Sequence, residues 1–247
     1  VDIIKKYEKH LTHWVSEKDN GQAAAINKGF ALATGDLLMW LNSDDMLMPN
    51  SLSFLAQIAD TEKQNIYAGN CIHFKMEADQ RLTSWGSDII NTFNSAKLEE
   101  TDCIIQPSSF WTRKAREKAG HLNEDMHYTF DWEWFMRAKT NGVQIIPVEK
   151  CLSLYRYHSA HKSSAGGTSR QQEVLDFYKL YNPKWALLYG QLINENLDAI
   201  SKYQGRLKGL PFRLSLTVSD GYILKKLKPG KYKDFTSQEI TRAISML

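Results

Sequence analysis

Asn42-Ser43-Asp44-Asp45 sets two carboxylates side by side, directly after the apolar run Leu37 to Leu41. Adjacent carboxylates at the end of a buried segment are costly unless a positive group joins them. A divalent cation bridging a diphosphate would do so, because hard cations take oxygen ligands. Ligand sites of open α/β sheets also lie at the carboxyl ends of strands. An Asx turn leading to a helix opened by Pro49 accounts for the same four residues with no ligand at all.

Asp131 is the second candidate. It stands at the start of a helical pattern, in Tyr128-Thr129-Phe130-Asp131-Trp132-Glu133. A carboxylate there interacts well with the helix dipole and often does nothing else. Among aromatic rings it can also accept a proton as a general base. Arg156-Tyr157-His158 ends an apolar stretch and offers an imidazole to a metal, with His161 as a nearby competitor. Glu17 to Gln22 precedes a helix whose amino end could face a phosphate or a base, or Asp19 could simply cap it. Arg137 is either the partner of a buried acid or a solvated charge.

These residues need elements to position them. Residues 2–10 read as a helix with Ile3, Ile4 and Tyr7 inward, and Leu11 to Ser16 as a short strand. Gln22 to Thr34 reads as a helix with Ile26, Phe30 and Ala33 inward, stopped at Gly35. The run 37–41 reads as a strand covered on both faces. A helix after Pro49 carries Leu52, Leu55 and Ile58 inward. Strands are expected at 65–70, 71–76 and 81–85, then a loop over 87–100. Residues 103–111 read as extended, broken at Pro107. Helices follow at 113–119, closed by Gly120, and at 130–140, with strands at 143–148 and 151–157. A Gly/Ser-rich break over 163–169 marks a boundary near residue 165, between a body of residues 1–165 and an extension of residues 166–247. The extension reads as helical to about residue 207 and irregular beyond it. Helices alternating with buried strands argue for an α/β sheet layered with helices.

Composition narrows the classes. The chain has 247 residues, 43% hydrophobic and 11% aromatic, enough for a substantial core and unlike a disordered chain. A formal charge of +3 argues against a dedicated nucleic-acid binder. Residues 201–247 hold ten Lys or Arg against three Asp or Glu, while the rest is mildly acidic. That basic stretch, with apolar Leu210, Phe212, Leu214, Leu216 and Ile223, suits either an anionic membrane or acceptor, or an ordinary solvated surface. Cys71, Cys103 and Cys151 lack zinc-site spacing and read as reduced thiols of a cytosolic protein. No apolar run reaches the ~18 residues a membrane span needs.

In this order the pieces resemble family-2 glycosyltransferases. The series runs Trp14 to Gln22, Ala25 to Phe30, Ala33 to Asp36, Trp40 to Asp45 with Pro49, Gln106 to Trp111, Gly120 to Arg137 and Tyr155 to His158. It covers about residues 1–165. The resemblance implies a GT-A-like fold, a mixed and mainly parallel sheet flanked by helices, here with a helical carboxyl-terminal extension. It also implies that the strand–helix–strand opening the family is absent, so that the chain starts just after it.

By the same resemblance the acidic motif, on Asn42, Ser43, Asp44 and Asp45, holds Mn²⁺ or Mg²⁺ on the diphosphate of a nucleotide-sugar donor. Asn42 stands where relatives often have Asp, which makes Asp44 the main metal ligand, with His158 completing the shell. The catalytic base maps on Asp131, where Phe130 replaces the preceding acid of a Glu-Asp pair. Asp19 and Asn27 are assigned to the nucleotide side, and Gln106 and Trp132 to the sugar or acceptor pocket. Trp132 and Trp134 could equally be core residues. The implied activity is inverting transfer to a hydroxyl of a glycan or glycolipid, in the cytoplasm or at the inner face of a membrane. A non-catalytic nucleotide- or carbohydrate-binding module would keep the aromatics and lose the chemistry. A nucleotidyltransferase would want a Gly-rich phosphate loop, which these residues lack.

Overall fold

A computed structural model describes residues 1–77, 79–158, 162, 166–200, 202 and 219–247. The expected boundary at residue 165, His161 and the apolar Leu210, Phe212, Leu214 and Leu216 lie outside the described residues. The order is α1 (Asp2–Lys6), α2 (Gln22–Leu32), β1 (Leu37–Leu38), β2 (Met46–Leu47), α3 (Ser51–Ile58), β3 (Asn65–Met76), β4 (Leu82–Gly86), α4 (Ile89–Ser95), β5 (Ser109–Thr112), α5 (Arg113–Ala119), α6 (Phe130–Thr140) and β6 (Gln144–Tyr157). The extension contributes α7 (Gly167–Tyr181), α8 (Pro183–Ile193), α9 (Asp220–Leu227) and α10 (Ser237–Ser245).

The strands form one mixed sheet in the order β1-β5-β3-β6-β2, with β4 paired to β3. Helices flank it, as the α/β reading requires. Its parallel character rests on β3 and β6, while the other pairings are antiparallel. The four middle strands expected at 65–76 and 143–157 are two long ones, each continued through a register shift near Gly69 and Asn70. Gly69 is needed at that irregularity, because a Cβ there would meet the Leu152 side chain at 2.4 Å and Lys150 O at 2.8 Å.

Alternation along the central strands splits the core. Ile66, Ala68 and Trp111 face a large cluster with α2, α5, α6 and the extension, whereas Tyr67 and Phe110 face a smaller one with Leu55, Val148 and Leu152. The extension is part of the large cluster: Trp132 of α6 stacks on Phe177 of α7 with ring centroids 3.8 Å apart. Ile223, read as an apolar group available to a membrane, is fully buried there.

Several local expectations change. Residues 11–16 form no strand and are exposed, because no neighbouring strand among the described residues offers backbone partners. Ile3 and Tyr7 are likewise exposed at 77% and 50% instead of facing inward. The run 37–41 pairs only at Leu37–Leu38, at the end of the strand path, and Leu41 is exposed rather than covered. In α3, Leu55 is buried but Leu52 and Ile58 are exposed, because the helix starts at Ser51 after Asn50 in a left-handed conformation (φ 66°) and turns Ser51, Phe54 and Leu55 inward. The loop expected over 87–100 contains α4, whose amino end is capped by Asp88 accepting from Asn91 N–H at 3.0 Å. Helices α2, α5 and α6 stand where the periodicity places them, α5 ending at Gly120 with φ 81°.

Candidate active site

The turn after β1 and the start of α6 meet at one cavity of about 290 Å³. Its lining includes Asn42, Ser43, Asp44, Asp45 and Gln106 on one side, and Tyr128, Phe130, Asp131 and Lys162 on the other, with Tyr155 of β6 also lining it. The turn is closed by Asp45 N–H donating to Asn42 O at 3.1 Å. It is then held by side chains. Gln22 Nε2 donates to Asn42 Oδ1 at 3.1 Å, Asn42 Nδ2 reaches Asp45 Oδ2 and Gln106 Oε1 at 3.3 Å each, and Gln106 Nε2 donates to Trp40 O at 2.8 Å.

The two acids of the turn are oriented differently. Asp45 is buried and accepts from Arg156 N–H at 3.3 Å, which ties the turn to the end of β6. Burial pushes its carboxyl above the ordinary range, against the opposing pull of those hydrogen bonds. Asp44 instead meets His158, with Oδ2 and Nε2 2.9 Å apart. Among the described residues no group of three or more His, Cys, Asp and Glu is arranged to hold a metal ion. A carboxylate with an imidazole does fit a cation that takes its remaining ligands from a diphosphate and water, the usual habit of Mg²⁺ and compatible with Mn²⁺.

Asp131 is the second residue of α6, and its Oδ1 accepts from Trp132 N–H at 2.9 Å. Burial raises its pKa, and the nearby Lys162 ammonium works in the opposite direction. The loop before α6 is fixed from the extension. Glu173 of α7 accepts from the N–H groups of His127, Tyr128 and Thr129 at 2.8, 2.7 and 3.1 Å.

The sequence model described as glycosyl transferase family 2 matches residues 1–119. Over these residues, a little under half of the chain, the sequence is similar to glycosyl transferase family 2. An uncharacterized glycosyltransferase of Bacillus subtilis, YwdF, is 22% identical over 157 residues, which are 63% of this chain and 59% of that protein. An uncharacterized glycosyltransferase of a Nostoc strain is 23% identical over 189 residues, 69% of this chain and 56% of that one. The chain therefore spans less than two thirds of the length of these curated relatives. The crystal structure of S. aureus TarS 1-349 in complex with UDP-GlcNAc matches at a TM-score of 0.52 and 15% identity, over 99% of this chain and 77% of that one. The likeness is one of fold.

Within this glycosyltransferase fold the cavity collects Asn42, Asp44, Asp45, Gln106 and Asp131, with His158 joined to it through Asp44. Three assigned residues lie elsewhere. Asn27 is buried, its amide joined to the backbone of Leu122 at 2.9 and 3.0 Å, so it braces a loop and does not reach a nucleotide. Trp132 is 1% exposed and donates from Nε1 to Leu98 O at 2.7 Å, so it is core and not a sugar platform. Asp19 lies beside Trp14 and Thr34 in a separate groove, paired with Lys28 at 2.6 Å. Arg137 is the partner of a buried acid, with Nε 2.8 Å from Glu133 Oε1. Gln22, Tyr128, Tyr155 and Lys162 line the cavity without having been singled out. Gln22, Tyr128 and Tyr155 fall within segments of the resemblance, whereas Lys162 lies in none of them.

Proposed function

We propose that the chain is part of an inverting, metal-dependent glycosyltransferase that uses a nucleotide-diphosphate sugar. What supports the reading is one cavity lined by Asp44, which has His158 2.9 Å away, and by the half-buried Asp131. Asp44 and His158 would hold Mn²⁺ or Mg²⁺, which when bound would neutralise charge on the departing diphosphate. Asp131 accepts the proton of the acceptor hydroxyl while that oxygen bonds to the anomeric carbon and the bond to the diphosphate breaks. General-base assistance of this kind is worth ~10² to 10⁴ in rate. Asp45 and Gln106 act on the turn, holding Asn42 and the end of β6 so that Asp44 faces the cavity.

The donor class is the one to which the UDP-GlcNAc bound by TarS belongs, and the acceptor is a glycan or glycolipid of a surface polysaccharide pathway. The protein works in the cytoplasm or at the inner face of a membrane, and no described helix is long and apolar enough to cross one. The test is a panel of nucleotide-sugars incubated with the protein, read as Mn²⁺- or Mg²⁺-dependent release of nucleoside diphosphate. Release that survives chelation, or no release with any donor and acceptor preparation, would overturn it. Tight, metal-independent nucleotide binding with no turnover would support the binding-module reading instead.

A further inference from the structure

We propose that an aromatic platform on β3, β4 and β6, beside the cavity, is a binding subsite for the sugar units of a neutral oligosaccharide acceptor. The inference rests on the glycosyltransferase reading. Register places His73 opposite Trp85 on β4 and Tyr155 on β6, and the strand periodicity brings Tyr157 to the same face. The rings form a continuous row. Tyr155, which lines the cavity, has its centroid 5.4 Å from those of His73 and Tyr157, and Trp85 follows at 5.5 Å from His73 and 5.3 Å from Tyr157. His73 and Trp85 are stacked nearly parallel, 10° between planes.

A core cluster would be sealed, but this row opens outward: Trp85 is 46% exposed and Tyr157 37%. Large rings in water cost free energy that packing against neighbours could have removed. Charge decides the kind of ligand. Lys75, on this face of the hairpin, is paired with Glu77 at 3.0 Å. The ring row itself thus offers π faces and phenolic hydroxyls, and no described Lys or Arg belongs to it. That chemistry fits sugar rings, whose C–H faces lie on aromatics and whose hydroxyls bond at the edge, and not a second nucleotide. Because the row starts at Tyr155, an occupant would extend from the reacting hydroxyl in the cavity out along the hairpin.

The probes are cellotetraose, chitotetraose and mannotetraose, titrated against the full chain with intrinsic fluorescence as readout. At least one should bind and perturb tryptophan emission. Trp85→Leu should weaken that binding about tenfold, the scale of one aromatic contact, and Trp85→Phe should retain most of it. Apolar packing alone would leave Leu and Phe alike. UDP binding in the presence of Mn²⁺ should be unchanged in both variants, while Asp44→Ala should lose UDP and keep the oligosaccharide, so the two readings fail separately. No binding by any tetraose, equal binding by Trp85→Leu, or vesicle binding that depends on Trp85 would overturn the proposal.

Discussion

Asp131 carries two separable consequences. As a base it must be deprotonated, and burial holds its pKa above the ordinary carboxylate value, so the acid limb of kcat/KM against pH should lie above that value. For stability the sign is opposite. A carboxyl whose pKa is raised on folding contributes stability that is present at low pH and lost as pH rises through the folded value. Asp131→Asn should therefore melt no lower than wild type at pH 7, bind donor and metal normally, and transfer at least ~10²-fold more slowly. A well-folded variant with near-normal turnover would remove Asp131 from the chemistry. Asp44→Ala should abolish metal-dependent binding of a nucleoside diphosphate in calorimetry, and unchanged affinity would dismiss Asp44 as the ligand. Asn42, Asp44, Asp45 and Asp131 were legible because their residue types sit at a strand end and a helix start. Tyr155 and Lys162 were not, because their place at the cavity depends on tertiary packing that leaves no local pattern in the sequence. Trp132 was misread as a pocket residue, since sequence alone does not tell which side of α6 meets α7.

At the scale of elements, the amino end of α6 depends on α7. Thr129, the residue before α6, makes no capping bond of its own, and Glu173 instead accepts from the three consecutive N–H groups that lead into the helix, those of His127, Tyr128 and Thr129. Glu173→Ala leaves those donors without that partner, at a cost of about 1–3 kcal/mol. It also frees the loop that sets Asp131. The expected result is a lower melting temperature with kcat falling more than donor affinity, because the Asp44 side of the cavity is held separately by Gln22, Asn42 and Gln106. Equal losses in donor binding and turnover would show that Glu173 matters only for folding. Elements with their own periodicity or caps, α2, α5 and α6, were readable from sequence. The strand expected at 11–16 does not form, because a strand exists only with a partner, and α4 was hidden because a seven-residue helix in a polar context has too little periodicity to announce itself.

Across the whole molecule, the basic carboxyl-terminal stretch and the body are joined by their charges as well as by packing. Arg242 pairs with Glu100 of the body at 2.8 Å and donates to Ser95 O at 2.6 Å, while Lys228 and Lys231 pair with Glu195 inside the extension. Fewer of the ten cations are thus available to a membrane than the formal count implies. Flotation with anionic vesicles should show binding that falls steeply between low and physiological salt, and equal, negligible binding to anionic and neutral vesicles would dismiss the membrane role. Packing makes the stronger claim. Phe177 and Tyr178 cover Trp132, and Tyr178 OH donates to Glu100 O at 2.7 Å. Losing a fully buried Phe costs about 3–5 kcal/mol, a large share of the 5–15 kcal/mol that holds a typical domain. Phe177→Ala alone should depress the melting temperature sharply. Deleting residues 166–247 removes Phe177, Tyr178, Trp185 and Tyr189 together, along with Glu173. The remaining segment should bind a hydrophobic dye and lose cooperative melting, instead of surviving as an independent catalytic body. A soluble fragment of residues 1–165 that melts cooperatively would show that the shared core is dispensable and that the extension is an appendage after all.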